Sequence, residues 1–162
     1  ATPQHNTCCN DWVGFWQQYR LQFQLDLAAR NGAGGRLQSQ GERLLVELPA
    51  LFDSYLPQAS LLHGDLWSGN YAYLQSGKPT LFDPAVYYGD READLAMTEL
   101  FGGFGASFYA AYNNAWPLDS GYRTRKTLYN LYHIINHFNM FGGGYLGQAQ
   151  AMLDLLLSEL RS

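Results

Sequence analysis

The sequence predicts an α+β protein: a mainly helical body with one small β-hairpin set near its middle. Three observations carry that prediction. Apolar residues recur at helical spacing through most of the chain. Between about residue 61 and residue 83 the texture changes to short apolar runs and alternation around a turn. Glycine runs then punctuate the helical stretches at the places where helices would end. With 162 residues, 47% of them hydrophobic, the chain has enough apolar material for one ordinary core.

Taken in order, residues 1–10 are polar and turn-like. Asn10 or Asp11 caps a helix from about Trp12 to Arg30, along which Trp12, Phe15, Trp16, Tyr19, Phe23 and Leu27 repeat at helical spacing. The run Asn31-Gly-Ala-Gly-Gly ends it as a glycine C-cap does. A second helical stretch covers about Gln40 to Tyr55, with Leu44, Leu45, Leu48, Leu51 and Phe52 apolar and Pro49 placed to kink or split it. Leu61-Leu62 is a short apolar run into His63-Gly64-Asp65. Asn70-Tyr-Ala-Tyr-Leu alternates like a strand, Gln75-Ser-Gly-Lys-Pro is a hairpin turn, and Thr80-Leu-Phe-Asp is the returning strand. From about Asp90 the helical period resumes over about 90–101, 105–115, 121–141 and 145–160. Gly102, Gly103 and Gly105 separate the first two of these stretches, and Gly142-Gly-Gly separates the last two.

Composition excludes several classes. Ten Lys and Arg against 14 Asp and Glu give a net charge of −4, the opposite of the clustered basic footprint that nucleic acid requires. No apolar run approaches the ~18 residues of a membrane span. The longest candidate, Leu128 to Phe141, is broken by Asn130, His133, Asn136, His137 and Asn139. Cys8 and Cys9 are adjacent, cannot frame a disulfide scaffold and have no CxxC partner, so they read as reduced thiols of a cytoplasmic protein. His133 and His137 share a helix face, yet no third ligand is in view, and they read as core or groove-lining side chains. Gly103-Phe-Gly105 lacks the third glycine and preceding strand of a dinucleotide loop. Tyr109, Tyr112, Trp116, Tyr129, Tyr132 and His133 read either as the lining of a substrate groove or, by default, as aromatic core.

The hairpin carries the chemistry. His63-Gly64-Asp65-Leu66-Trp67-Ser68-Gly69-Asn70, followed by Leu81-Phe82-Asp83-Pro84-Ala85, sets Asp65, Asn70 and Asp83 at intervals of 5 and 13 residues on the loops flanking two strands. Phosphoryl transfer needs these residue types: a carboxylate to orient and deprotonate the attacking hydroxyl, and Asn and Asp oxygens to hold Mg²⁺ against nucleotide phosphates. Protein kinases use H-R-D-x-x-x-x-N followed by an Asp-Phe-Gly carboxylate. Here Gly64 replaces the Arg, and Asp83-Pro-Ala replaces Asp-Phe-Gly. Only six residues separate Asp83 from the helix at about Asp90, too few for a peptide-docking segment, so a small hydroxylated substrate suits the chain better than a protein substrate.

These residues resemble the fructosamine (ketosamine) kinase family. The likeness rests on His63-Gly-Asp-Leu-Trp-Ser-Gly-Asn70, on Asp83-Pro-Ala-Val-Tyr-Tyr-Gly-Asp-Arg-Glu-Ala-Asp-Leu-Ala-Met97, and on the opening Thr2-Pro-Gln-x-Asn6 with Asp11-Trp12. It is more specific than the general aminoglycoside-phosphotransferase pattern of the protein-kinase-like superfamily. The resemblance implies an ATP-dependent kinase acting on the 3-hydroxyl of the sugar in a ketosamine, with ATP and Mg²⁺ as cofactors and a small-molecule or protein-bound ketosamine as substrate. Carried over by position, Asp65 is the catalytic base, Asn70 and Asp83 are metal ligands, and Asp94 braces the catalytic loop from the following helix. His63 supports the loop backbone. Trp67 reads two ways: as an indole covering the apolar side of a sugar ring, where a cationic amine adds about 0.5–2 kcal/mol, or as a plug in the helical body. Asp90, Arg91 and Glu92 form either a polar network beside the site or a solvated first helical turn.

A kinase of this architecture also needs a glycine-rich loop over the phosphates and a strand lysine paired to a helix glutamate. The only lysines are Lys78, in the hairpin turn, and Lys126, in a late helix. The expectation is therefore that residues 1–162 are the C-terminal lobe of a protein-kinase-like fold, without the N-terminal nucleotide lobe of the same polypeptide. The 15% charged and 15% aromatic composition fits a chain with a face meant for that lobe. The competing readings are an aminoglycoside- or choline-type small-molecule kinase and a non-catalytic, pseudokinase-like binding module.

Overall fold

A computed structural model of the chain describes residues 2–161; Ala1 and Ser162 lie outside them. The chain divides into two compact units, one built from residues 1–56 and 127–162, the other from the central residues 57–126.

The first unit is all-helical. Asp11 caps α1 (Trp12–Phe15), its carboxylate accepting the Val13 N–H at 3.1 Å. The helix continues as a π-helical stretch, Trp16–Gln22, and then as α2 (Phe23–Arg30). Bonding from i to i+5 widens the turn, so Trp16, Arg20 and Leu21, four and five positions apart, are all fully buried. The sequence periodicity places a helix here but carries no sign of the widened turn. α3 (Arg36–Glu47) gives way at Leu48–Phe52 to a 3₁₀ turn with Pro49 in its first positions. That is the split expected of a proline, which cannot continue the bonded helix. The later part of α6 (Tyr122–Phe141) and α7 (Tyr145–Glu159) complete this unit, with α7 packed on α3. Leu25, Leu37, Leu44, Leu48, Leu128, Ile134, Ile135, Leu153 and Leu156 form its core, each nearly or fully removed from water. Each such side chain contributes about 1.5–3 kcal/mol.

The central unit holds all the strands among the described residues. β2 (Tyr71–Tyr73) and β3 (Pro79–Leu81) make the expected hairpin, with Tyr71 opposite Leu81 and Tyr73 opposite Pro79. Gly77 closes its turn at φ +78°, its N–H bonded to the Leu74 carbonyl. The sequence carries no signal for a second sheet, yet β1 (Ala59–Leu62) pairs antiparallel with β4 (Tyr87–Asp90). Leu62 is buried on this sheet while Leu61 faces out. α4 (Arg91–Leu100) packs on β1, and its Ala93, Leu95, Ala96 and Met97 are buried. Asp90, the last residue of β4, caps α4 by accepting the Glu92 N–H at 3.0 Å. The unit ends with α5 (Ala106–Ala115) and the start of α6. The architecture is the α+β, mainly helical one that the sequence predicts.

Candidate functional site

The site is built where β1 ends. Its next residue, His63, is followed by Gly64 at φ +80°, and a Cβ on Gly64 would run into the Ala85 carbonyl oxygen. Glycine is required there twice over, for the left-handed backbone and for the close approach. The Asp94 carboxylate, presented by α4, accepts the His63 N–H at 2.7 Å and the Gly64 N–H at 2.9 Å. Burial pushes the Asp94 carboxyl up from its ordinary range, and the two backbone N–H groups pull against that rise. The His63 ring spans both loops. Its Nδ1 accepts the Asp65 N–H at 3.3 Å, and its Nε2 donates to the Phe82 carbonyl at 3.0 Å. Those two partners require the hydrogen on Nε2.

The 3₁₀ turn Ser68–Asn70 then folds the chain back on itself. The Asp65 carbonyl accepts the Trp67 N–H at 3.2 Å, and the Trp67 carbonyl accepts the Asn70 N–H at 3.0 Å. The buried Asn70 amide donates to the Asp65 carbonyl at 2.9 Å and to its carboxylate at 3.0 Å. Asp65 and Asn70 are thus in direct contact. Asp83 arrives from the end of β3, tied in by backbone: Phe82 N–H to the Asn70 carbonyl at 3.1 Å and Ala85 N–H to the His63 carbonyl at 2.8 Å. Asp83 sits at φ +54°, the one non-glycine at positive φ among the described residues, and its side chain is exposed. Such a conformation costs on the order of 1–3 kcal/mol and persists only where the surroundings impose it. The three predicted oxygen-bearing residues therefore stand on two loops cross-tied at His63 and Asn70. Trp67 is 37% exposed and meets Phe101 edge to face at 6.5 Å.

Asp90, Arg91 and Glu92 are buried rather than solvated. Glu92 receives Arg125 Nε at 2.7 Å and Nη2 at 3.0 Å, and Arg125 Nη2 also reaches Asp119 at 2.7 Å. Burial pushes the Glu92 carboxyl up, and its bond to Arg125 opposes that shift. Arg91 donates to the carbonyls of Trp116 and Pro117 at 2.9 and 2.8 Å and lies 4.1 Å over the Trp116 ring. The network fixes α4, the helix that carries Asp94. Nothing in the sequence pairs Arg125 with Glu92 or sets Phe101 against Trp67; the local signal for the turn is Gly69 itself, between Ser68 and Asn70. Among the described residues, no cluster of three His, Cys, Asp or Glu side chains could hold a metal, the His133–His137 pair included.

Comparison with known proteins gives one answer. The chain is 52% identical over 157 residues to a Synechocystis protein named "Probable ketoamine kinase", covering 97% of this chain and 52% of the relative. It is 43% identical to a protein-ribulosamine 3-kinase, chloroplastic, of Arabidopsis thaliana, covering 100% of this chain and 49% of the relative. The chain spans about half the length of the curated relatives it matches. A crystal structure from Thermobifida fusca described as a fructosamine-3-kinase superposes with a TM-score of 0.88 at 33% identity, covering 97% of this chain and 55% of that one. A Haemophilus somnus structure of the same description gives 0.84 at 30% identity, covering 95% and 52%. The family model for fructosamine kinase matches residues 1–159, and the chain belongs to that family.

Proposed function

We propose that this chain supplies the acceptor side of an ATP-dependent kinase that phosphorylates the 3-hydroxyl of a ketosamine sugar. The observation that carries the reading is the Asp65–Asn70 contact on a loop held by Asp94 and His63. Relatives named ketoamine kinase, protein-ribulosamine 3-kinase and, in mouse, ketosamine-3-kinase support the substrate class. Asp65 orients the sugar hydroxyl and accepts its proton as the oxygen attacks the terminal phosphorus of ATP and ADP leaves. His63 and Asp94 fix the loop that aims it. Trp67, partly exposed two residues on, covers the apolar side of the sugar ring.

The donor set fits Mg²⁺. Asn70 spends its amide hydrogens on Asp65, which leaves Oδ1 as its free-standing donor, and the Asp83 carboxylate is exposed on the facing loop. All-oxygen donors suit this hard cation, which when bound neutralises charge on the nucleotide phosphates. Residues 1–162 act in this reading as the C-terminal lobe, with a nucleotide lobe from elsewhere in the same polypeptide. The half-length match and the absence of a glycine-rich loop with its strand lysine support that division. The free, exposed thiols of Cys8 and Cys9 favour a reducing compartment such as the cytoplasm.

Asp65→Asn in the full-length protein tests the base. Turnover of fructosyl-lysine should fall about 10²–10⁴-fold, while ATP affinity, measured by calorimetry, stays within about twofold on the same reading. Turnover equal to wild type would remove Asp65 from that role.

A further inference from the structure

Gly69 sits in the Ser68–Asn70 turn, and the space its side chain would occupy is filled by the Trp67 indole: a Cβ on Gly69 would run into Cη2, Cζ2 and Cζ3 of that ring. The backbone does not call for glycine here, because Gly69 is not among the residues at positive φ. The atoms nearest to that side-chain position all belong to the indole. The same ring meets Phe101 edge to face, centroids 6.5 Å apart at 79°, and the Ser68 hydroxyl reaches the Phe101 carbonyl at 3.4 Å. Phe101 is itself fixed where α4 stops. Gly102 and Gly103 turn the chain at φ +96° and +69°. The Tyr109 hydroxyl then accepts the Phe104 N–H at 3.0 Å and pairs with the Thr98 hydroxyl at 3.1 Å. An aromatic ring held on glycine and against a second ring, yet 37% exposed, has surrendered its rotamer freedom before any ligand arrives.

We infer that Gly69 and Phe101 are positioning residues that set the plane of the Trp67 indole and thereby the enzyme's selectivity for an acceptor with a ring face to cover. The inference rests on the proposed role of Trp67 against the sugar. It requires no change at Asp65, Asn70 or Asp83, so its signature is in acceptor KM rather than in kcat.

The experiment uses the full-length protein labelled with 5-fluorotryptophan, the Trp67 resonance being assigned by its loss in Trp67→Leu. Gly69→Ala and, independently, Phe101→Leu should each shift that resonance. Each should raise KM for fructosyl-lysine about tenfold, which corresponds to about 1.4 kcal/mol, with kcat and the KM for ATP changed less than about twofold. In a Trp67→Leu background Gly69→Ala should add nothing, since the cycle closes on the indole. An unmoved resonance in both variants overturns the inference. So does an equal KM penalty from Gly69→Ala with and without Trp67. If the resonance shifts in Gly69→Ala but neither Gly69→Ala nor Trp67→Leu changes the KM for fructosyl-lysine, the clamp stands. The acceptor role of Trp67, and with it the selectivity, is then overturned.

Discussion

Asp94 does its work through two backbone N–H groups rather than through any ion pair. Its oxygens take the His63 and Gly64 amides at 2.7 and 2.9 Å, and burial makes the charged form costly enough to push its carboxyl up. In Asp94→Asn one of those amides faces an NH₂ group, leaving a buried donor unsatisfied at about 1–3 kcal/mol. The expected outcome is a lower urea midpoint and a kcat for fructosyl-lysine reduced more than the KM for ATP, because the loop carrying Asp65 loosens. An unchanged midpoint with unchanged kcat would take Asp94 out of the loop's support. At this scale the sequence and its family resemblance carry the candidate residues and the bracing expected of Asp94 and His63, but not the reasons for the glycines. Asp65, Asn70 and Asp83 stand out as candidates by residue type and spacing. The need for glycine at 64 lies in a carbonyl 21 residues away, at Ala85, and the need at 69 lies in an indole folded back from Trp67. Neither cause leaves a local pattern.

The α6 helix shows what periodicity misreads at the scale of an element. Its asparagines and histidines look like interruptions of an apolar run, yet within the helical unit Asn136 and Asn139 are internal links. Asn136 accepts from Gln24 at 3.1 Å and from the Thr2 hydroxyl, and Asn139 donates to Gln24 at 2.7 Å. His133 is buried, and burial, with the His137 and Arg20 charges beside it, pushes its ring down from 6.5 to about 3. An imidazole depressed on folding contributes stability that is present above the unfolded value near 6.5 and is lost as pH falls towards 3. Between pH 7 and pH 4.5 that loss amounts to about 2–3 kcal/mol. Urea unfolding of wild type and His133→Leu at those two values checks it: the variant should lose less stability on acidification by about that amount. Equal losses would show that His133 is protonated without cost in the fold. The helices were legible from their apolar spacing, which most of them use to bury one face (α5 buries no residue), and from breaks at Pro49, Gly102 and Gly142. The β1–β4 pairing was not, since four-residue strands 25 residues apart carry no period and find each other only through register. Tyr87 to Asp90 read as the approach to a helix, and Asp90 is both the last strand residue and the cap of α4.

For the molecule as a whole, the proposed kinase reading turns on positive charge to hold phosphates. The chain has two lysines. Lys78 is exposed in the hairpin turn, and Lys126 pairs with Glu99 at 2.6 Å. Neither stands on a strand opposite a helix glutamate, the arrangement that phosphoryl transfer in this architecture uses. The central unit meanwhile exposes Leu61, Leu81, Phe82, Val86 and Tyr88, a concentration of apolar side chains beside a site rich in oxygen donors. Both features agree with the proposed lobe division, and the curated relatives that the chain matches are about twice its length. The comparison to make is Mg²⁺-dependent ADP release with fructosyl-lysine, run side by side on residues 1–162 and on the full-length protein. The full-length protein should turn over, and the isolated 162 residues should fall at least about 100-fold below it, the loss that removal of even one electrostatic donor to a transition state brings. Comparable rates would mean that phosphate charge is met within these residues, and the lobe assignment would fail. Silence in both would leave the Asp65–Asn70 loop intact as a structure but move the substrate to another hydroxylated amine or the chain to a binding role.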